Sequence, residues 1–565
     1  MKNDGWIIRI LLHFGLVVLA SVLFAASFPN IIFIHGLPFL AWFAYIPILA
    51  VIGKYGVAAC AGWGAVYGFT AYSLFNYWLG AFHPIAGTIV YSIYLIYMAA
   101  VFILLKTAII FFPKRGYIVQ WVIWLACEYL STKGFLGYSY GVTGYSQWRV
   151  IPLIQIASVT GVWGVSALVT FPSFWLAGVT QKKCSCKNRR FGFVWFVVKK
   201  IKILFLQEKI PAAIWAIAIA AALVFGFINM KDFSDYPSAG IALIQHNTDP
   251  WEASKAPTPR QTIEAYRKDL DKLMRLSDEA LASSPQTQLV VWPETAFIPR
   301  IYWHSTYRDN QDVWPVVRDL LEYLSKQEVP FLIGNDDARM DRAKNPDPKE
   351  KHRVDYNSAM LFENGVNTAS YAKLHLVPFT EHFPYKKQFP LFYTWLQNAD
   401  THFWEKGDEE TVFNVPGFSF AAPICFEDTF GYLSRNFVRR GADVLVNLSN
   451  DAWSGSLPAQ YQHLTMAVFR AVENNRSMVR STSSGQTCAI DPAGRVTAMA
   501  PAFEETWINV TVPLTKGDTL YTLYGDYTGI FFTAAAVIIL LFGAFWCKIR
   551  KLKSLKRAGR EQAAR

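Results

Sequence analysis

The chain is 565 residues long, 53% of them hydrophobic and 17% charged, with a formal net charge of +12. Apolar runs near 20 residues dominate the first 230 positions, whereas residues 240–513 have a mixed composition. This division excludes a purely soluble protein and indicates a membrane protein with a globular domain. The charge does not indicate nucleic-acid binding, because much of it lies in residues 181–209 and in the C-terminal tail, where it suits anionic lipid headgroups.

Eight apolar segments are candidate membrane spans, since a helix needs about 20 apolar residues to cross about 30 Å of hydrocarbon. They cover residues 6–26, 31–53, 56–80, 86–112, 117–131, 151–179, 210–230 and 528–547, the fifth being short. A signal peptide is the alternative for the first segment. Its core is long and lacks a small-residue cleavage site before Phe28, so we expect a retained anchor.

Basic residues in the short connections predict the orientation, because Lys and Arg beside spans tend to stay cytoplasmic. With eight alternating spans, Lys54, Lys114, the 181–209 connection and the basic tail all fall on that side. Both termini are then cytoplasmic, and the globular domain is extracytoplasmic. We predict a transmembrane domain of about seven spans over 1–235, a globular domain over 236–515, and a last span with its tail over 516–565.

Short apolar runs alternate with helical stretches after residue 240, as in a layered α/β or α+β domain. The hairpin is predicted over LFENGVNTASYAKL, residues 361–374. Predicted strands cover 241–245, 288–294, 329–336, 358–365, 418–425, 442–451 and 487–496. Predicted amphipathic helices cover 262–283, 314–327 and 461–478.

Three residues with useful chemistry follow predicted strands, where loops with reactive groups converge. Glu294 ends the run LVVWP, Lys373 follows the second arm of the hairpin, and Cys425 ends FAAPI. A cysteine attacks as the thiolate, so it needs a base such as Glu294 and a cation such as Lys373 nearby. Residue type alone allows three other roles for Cys425: a metal ligand, a disulfide partner of Cys488 or a small core residue.

Longer stretches around these residues resemble the apolipoprotein N-acyltransferases, a family that joins a polytopic membrane segment to a nitrilase-like domain. A nitrilase-type triad alone would indicate only the carbon-nitrogen hydrolase superfamily, and the membrane context narrows the resemblance. The matching stretches, in the family's order, are GYSQWRVIPLIQIASVTGVWGVSAL, VVWPETAFIP, YAKLHLVPFTEHFP, PICFEDTF, LVNLSNDAWSG, QHLTMAVFRAVENNRSMVRSTSSGQT and GDY before the last span.

The resemblance implies a nitrilase-like α-β-β-α sandwich as the catalytic domain. Within it, Glu294 is the implied general base, Lys373 stabilises the oxyanion, and Cys425 becomes acylated. Supporting acids are implied at Glu381, in PFTEHFP, and at Glu427, two residues after the nucleophile.

Trp251, Trp453 and Phe426 are the residues that the resemblance places in substrate binding, with packing as the alternative for the tryptophans. Several positions depart from the family pattern and put substrate preference in doubt rather than the reaction class: Phe426, Thr380, His382, Ser483 and Ser484. Residues 383–404, rich in aromatic and basic side chains, are a candidate membrane-dipping lid.

The implied reaction is two-step acyl transfer in the bacterial cytoplasmic (inner) membrane. Cys425 takes an acyl chain from a phospholipid as a thioester, and the α-amino group of a lipoprotein's diacylglyceryl-cysteine then takes it as an amide. A phospholipid donor and a lipoprotein acceptor are the expected partners of a monomer, with no cofactor, metal or nucleic acid. The alternatives are a membrane-anchored nitrilase-type amidase or hydrolase and an inactive lipoprotein-binding protein.

Overall fold

The computed structural model describes residues 4–82, 84–181, 208–248, 258–397 and 403–563. The chain divides into two compact units. The first, here called the helical unit, is Met1–Ile228 together with Asp526–Arg565, and the second, the sheet unit, is Asn229–Gly525. Trp251 lies outside the described residues.

The described part of the helical unit is built from α-helices and two short 3-10 helices, Pro38–Trp42 and Thr143–Gln147. Four described helices are long and apolar enough to cross a membrane: Gly5–Ser27, Ala86–Phe111, Lys209–Asn229 and Tyr527–Gln562. The α-helices are α1 (Asp4–Ser27), α2 (Ile46–Ile52), α3 (Val57–Phe75), α4 (Tyr77–Phe82), α5 (Pro84–Phe111), α6 (Gly116–Leu130), α7 (Ile151–Ile154), α8 (Ala157–Thr160), α9 (Val162–Gln181), α10 (Lys209–Asn229) and α18 (Tyr527–Ala563).

Three of the predicted apolar segments differ from a single straight helix, and in the segment 56–80 Asn76 separates α3 from α4. The segment 31–53 holds a 3-10 helix and then α2, each with a proline in its first turn. Proline suits a helix start but cannot continue a preceding helix. The segment 151–179 is broken into α7, α8 and α9, and Gly161 ends α8 with a φ of 65°, which glycine adopts readily.

The sheet unit contains two six-stranded sheets. Their strand orders are β12-β1-β2-β3-β4-β5 and β11-β10-β9-β8-β7-β6. In each sheet three neighbouring strands are parallel: β1, β2 and β3 in the first, and β7, β8 and β9 in the second. The strands are β1 (Ser238–Gln245), β2 (Leu289–Val291), β3 (Phe331–Met340), β4 (Arg353–Glu363), β5 (Val366–Ala372), β6 (Phe413–Val415), β7 (Phe418–Ala421), β8 (Val444–Ser449), β9 (Ser477–Thr482), β10 (Cys488–Ile490), β11 (Val496–Met499) and β12 (Thr506–Pro513).

Amphipathic helices of the sheet unit bury their apolar faces on the sheets. Leu270, Leu273 and Leu276 recur at helical spacing and pack in one core with Val290 and Trp292 from the first sheet. The two sheets are also in contact, since the Ser481 hydroxyl donates to main-chain carbonyls of the first sheet at 2.9 and 3.1 Å. The helices are α11 (Pro259–Ser283), α12 (Ile301–Tyr307), α13 (Trp314–Leu324), α14 (Pro390–Gln397), α15 (Gly431–Arg439), α16 (Leu457–Asn474) and α17 (Leu520–Tyr524).

Some predicted elements of this unit have different bounds in the structure. The helix predicted over 461–478 ends at Asn474, because Asn475 takes the left-handed conformation that commonly terminates helices. The following residues form the strand β9, which the sequence did not predict. The single strand predicted over 487–496 is a pair, β10 and β11, joined by a turn in which Gly494 has a φ of 82°.

Candidate active site

The predicted catalytic residues lie just beyond the ends of three strands. Glu294 follows β2, Lys373 follows β5 directly, and Cys425 follows β7. β2 lies between parallel neighbours and β7 is parallel to β8, so both strands deliver the next residues to a carboxyl edge, where loops form sites.

Lys373 contacts two carboxylates. Its Nζ lies 3.1 Å from Glu294 Oε1 and 2.9 Å from Glu381 Oε1, and its side chain is fully buried. The second oxygen of Glu381 accepts a hydrogen bond of 2.9 Å from the backbone N–H of Val377. A buried ammonium needs such partners to offset its lost hydration, so these three side chains form one ion cluster.

Glu294 is held by two further donors that the sequence analysis did not identify. The side-chain amide of Asn357 donates to Oε1 at 2.8 Å, and the backbone N–H of Asn450 donates to Oε2 at 2.9 Å. Asn357 is 1% exposed on β4. Asn357 directly precedes the strand predicted over 358–365, so the sequence alone did not place this amide among buried strand residues.

Cys425 begins the 3-10 helix Cys425–Thr429 and is 7% exposed. Its backbone has a φ of 50°, a left-handed conformation that non-glycine residues adopt at a cost. Asn447 supports this turn, since its Nδ2 donates to the carbonyl oxygens of Pro423 at 3.1 Å and Cys425 at 3.2 Å. The strained turn therefore fixes the position of the thiol.

Burial and the carboxylate of Glu294 keep the resting thiol protonated. Burial raises the pKa of Cys425 well above its ordinary value; the charge of Glu294 adds to that rise and Lys373 opposes it. Burial alone would lower the pKa of Lys373, but Glu294 and Glu381 outweigh it and hold that pKa well above the usual range. Burial also raises the pKa of Glu381 against the attraction of Lys373. Attack by the sulfur therefore requires a base to remove its proton.

Glu427 links the segment after β5 to the segment that carries the nucleophile. Its Oε1 accepts from the backbone N–H groups of Leu374 at 2.7 Å and His375 at 2.9 Å, and its Oε2 accepts from Ile424 N–H at 2.8 Å. The Tyr371 hydroxyl lies 2.8 Å from both oxygens. Burial raises the pKa of Glu427 to about 7 despite these donors. Its carboxylate thus holds two active-site segments together.

The three residues implied in substrate binding differ in what the structure describes. Phe426 packs in an aromatic group, with ring centroids 5.0 Å from Phe430 and 6.0 Å from His375. Trp453 lies in the 3-10 helix Asp451–Ser454, directly after the segment that holds Glu294. Trp251 is outside the described residues.

The structure also bears on the alternatives for Cys425. Cys425 and Cys488 are both buried and both free thiols, so they are not joined in a disulfide here. Within the described ranges, no group of three or more His, Cys, Asp and Glu side chains could hold a metal ion. A buried thiol beside a carboxylate and an ammonium group is suited to covalent acyl transfer.

Two family profiles match the chain. The apolipoprotein N-acyltransferase N-terminal domain matches residues 20–175, and the carbon-nitrogen hydrolase family matches residues 240–519. The second range includes every candidate catalytic residue named above.

Relatives match this chain along nearly its whole length. The chain is 43% identical to "Apolipoprotein N-acyltransferase 1" of Treponema denticola, with 96% of this chain and 98% of the relative covered. It is 42% identical to the protein of the same name in Treponema pallidum, over 99% of this chain and 100% of the relative. A solved carbon-nitrogen hydrolase from Helicobacter pylori is 15% identical with a TM-score of 0.35, covering 52% of this chain and 94% of that one.

Proposed function

The chain belongs to the apolipoprotein N-acyltransferases, and from that premise we propose that it N-acylates lipoproteins through a thioester on Cys425. It is an N-acyltransferase of lipoprotein maturation, with apolar helices and a nitrilase-like α/β domain. The single observation that carries the mechanism is the contact of Lys373 Nζ with both Glu294 and Glu381, whose charges act on the Cys425 thiol.

The first step transfers the acyl chain from a phospholipid to the enzyme. Glu294 removes the thiol proton while Cys425 Sγ attacks the ester carbonyl, forming the S–C bond. Lys373 stabilises the resulting oxyanion. The tetrahedral intermediate then expels the glycerol oxygen, which takes the proton from Glu294. A lysophospholipid leaves, and the acyl group stays on sulfur.

The second step transfers that acyl chain to nitrogen. The α-amino group of the N-terminal diacylglyceryl-cysteine attacks the thioester carbonyl, and Glu294 accepts a proton from the attacking nitrogen. The C–S bond breaks as the amide forms, and the departing thiolate recovers the proton. Lys373 again stabilises the oxyanion, so one set of groups serves both steps.

Glu381 has a role that differs from that of Glu294. When Glu294 is protonated it no longer offsets the charge of the buried ammonium. Glu381, 2.9 Å from Lys373 Nζ, keeps a carboxylate on that side throughout the cycle. This arrangement supports Glu381 as the residue that holds Lys373 in position, while Glu294 moves the proton.

The finer architecture is part of the same proposal. Contact between the two sheets and the helical layer on the first sheet support an α-β-β-α sandwich over residues 236–515. The basic residues beside the apolar segments support about eight spans in the bacterial inner membrane, with both termini cytoplasmic and the catalytic domain extracytoplasmic. We take the enzyme to act as a monomer.

Phe426, Trp453 and Trp251 are proposed to contact the substrates. Phe426 is supported by its position next to the nucleophile in an aromatic group. Trp453 is supported by its position two residues after Asp451 and three after Asn450, whose N–H holds Glu294. Trp251 rests on the resemblance alone.

The product distinguishes this function from its alternatives. The purified full-length protein is incubated in detergent with a phospholipid labelled in its acyl chains and a diacylated lipopeptide. We expect lipopeptide that is heavier by one labelled chain. Labelled free fatty acid without that product would favour a hydrolase, and neither product would favour a lipoprotein-binding protein.

A further inference from the structure

Four charged side chains that the proposed mechanism does not use lie buried next to the nucleophile. They are Asp428, Asp451, His463 and Arg480, each at most 4% exposed. They come from the 3-10 helix that begins at Cys425, the 3-10 helix Asp451–Ser454, helix α16 and strand β9, respectively. We call them the buried charge cluster.

Both ring nitrogens of His463 face carboxylate oxygens. Nε2 lies 2.7 Å from Asp428 Oδ1, and Nδ1 lies 3.1 Å from Asp451 Oδ1. Both contacts are hydrogen bonds only when each ring nitrogen carries a hydrogen, as in an imidazolium. Arg480 pairs with Asp428 Oδ2 through Nη1, and its Nη2 lies 3.1 Å from Asp451 Oδ2 and 3.2 Å from His463 Nδ1.

The cluster is electrically neutral only when His463 is protonated, since it then holds two carboxylates, one guanidinium and one imidazolium. Burial by itself lowers the pKa of His463, but attraction to Asp428 and Asp451 outweighs both burial and repulsion from Arg480 and raises that pKa to about 9. The pKa of Asp451 is held at about 2, since His463 and Arg480 outweigh burial. A charge that is buried in this cluster without an opposite charge would destabilise the folded protein.

The cluster is connected through the backbone to both reacting groups of the site. Asp428 lies in the same 3-10 helix as Cys425, and Asp451 directly follows Asn450, whose N–H holds Glu294 Oε2 at 2.9 Å. The charge of Asp451 also acts on the Cys425 thiol and raises its pKa. Loss of the imidazolium would leave one net negative charge beside that thiol.

We propose that protonated His463 is a positioning residue that neutralises Asp428 and Asp451 and thereby keeps the Cys425 proton removable by Glu294. The proposal rests on the proposed function, because it takes Cys425 as the nucleophile and Glu294 as its base. It assigns His463 no contact with substrate.

The test measures the rate of Cys425 alkylation by iodoacetamide against pH in the full-length protein, with no lipid substrate present. In H463Q the cluster carries one net negative charge, and in D428N/H463Q it is neutral again. At about pH 7.5, where His463 of the wild type is protonated, we expect H463Q to be alkylated about tenfold more slowly, because a nearby like charge usually raises a pKa by about one unit or more. D428N/H463Q should return to within about threefold of the wild type at that pH.

The matched control is H304Q, which removes a buried imidazole from helix α12, outside the cluster. Its alkylation rate at that pH should equal that of the wild type. An alkylation rate of H463Q equal to that of the wild type at that pH would overturn the proposal. So would equal slowing in H463Q and D428N/H463Q, which would indicate a role in packing alone.

A second measurement needs no variant and applies even if H463Q does not fold. The protein has 10 histidines, and ring-15N labelling of the wild type reports the protonation of each observed imidazole. We expect one ring to titrate near pH 9, and titration of every ring below about pH 7 would contradict the proposal. Absence of a thioester in the wild type would instead contradict the proposed function, leaving the alkylation result on His463 standing separately.

Discussion

Asn357 Nδ2 donates a hydrogen bond of 2.8 Å to Glu294 Oε1, the same oxygen that Lys373 Nζ approaches to 3.1 Å. The other oxygen accepts from Asn450 N–H at 2.9 Å. A carboxylate offers about four acceptor directions, so these three donors leave about one for the thiol proton. Glu294 is therefore oriented before the substrate binds, which is the condition for efficient general-base catalysis.

Replacing Asn357 by Ala should slow thioester formation about ten- to hundredfold, because a hydrogen bond to a charged group contributes about 1.5–3 kcal/mol. The rate is measured in a single turnover with phospholipid alone. Asn367→Ala is the matched control, since Asn367 is exposed on β5 and donates to the main-chain carbonyls of Leu361 on β4 and Ala369 on β5. Equal rates for Asn357→Ala and the wild type would contradict the role of Asn357.

Replacing Lys373 by Arg should abolish most of the activity, about a hundredfold or more, although the charge is kept. The fully buried ammonium fits between two carboxylates, and a planar guanidinium has a different shape and bonding geometry. Acyl transfer to the lipopeptide is the measurement. Lys326→Arg, at an exposed position just after α13, is the control. Normal transfer by Lys373→Arg would indicate that Lys373 supplies only charge.

Glu427→Gln should lower the thermal midpoint, because one amide oxygen cannot accept from the N–H groups on both sides of the Glu427 carboxylate. The stability that Glu427→Gln loses relative to the wild type should depend on pH. Folding raises the pKa of Glu427 from 4.5 to about 7, so the folded state binds more protons in that window and wild-type stability falls as pH rises through it.

The unfolding free energy of the wild type should therefore exceed that of Glu427→Gln most at about pH 4.5. The difference between the two unfolding free energies should then decrease by at most about 3 kcal/mol as the pH rises to about 7. Thermal scans of both proteins across this range provide the comparison. An excess that grows with pH would contradict the raised pKa.

The described part of the candidate lid exposes large apolar side chains: Leu391 is 87% exposed and Trp395 is 44% exposed. Replacing both by Ser should reduce binding to phospholipid vesicles and acylation from them several-fold, since exposed apolar surface of this kind favours lipid contact. Val366→Ser, on an exposed hairpin position, is the control. Unchanged vesicle binding and activity would contradict a membrane-dipping lid.

The sequence indicated candidate site residues but not the groups that hold them. Glu294, Lys373 and Cys425 each follow a short apolar run, which made them candidates, and the longer stretches around them carry the family resemblance. Asn357 reaches Glu294 through the strand order of the first sheet, and the N–H of Asn450 reaches it from the second sheet. No local pattern encodes either arrangement. The contact of His463 with Asp428, 35 residues apart, depends in the same way on how α16 packs.

Element bounds were missed where a single backbone conformation decided them. The left-handed Asn475 ended α16 before the predicted end and allowed β9 to begin. In the helical unit, the positive φ of Gly161 broke a segment whose composition alone predicts one continuous helix. Such residues act through backbone geometry rather than hydrophobicity, so hydrophobic periodicity did not reveal them.

The most direct measurement is mass spectrometry of the peptide that contains Cys425 after incubation of the protein with phospholipid alone. We expect this peptide to become heavier by one acyl chain held as a thioester, and adding a diacylated lipopeptide should remove the chain and transfer it to the lipopeptide. An acyl chain on another residue, or triacylated lipopeptide formed by Cys425→Ala, would contradict this mechanism.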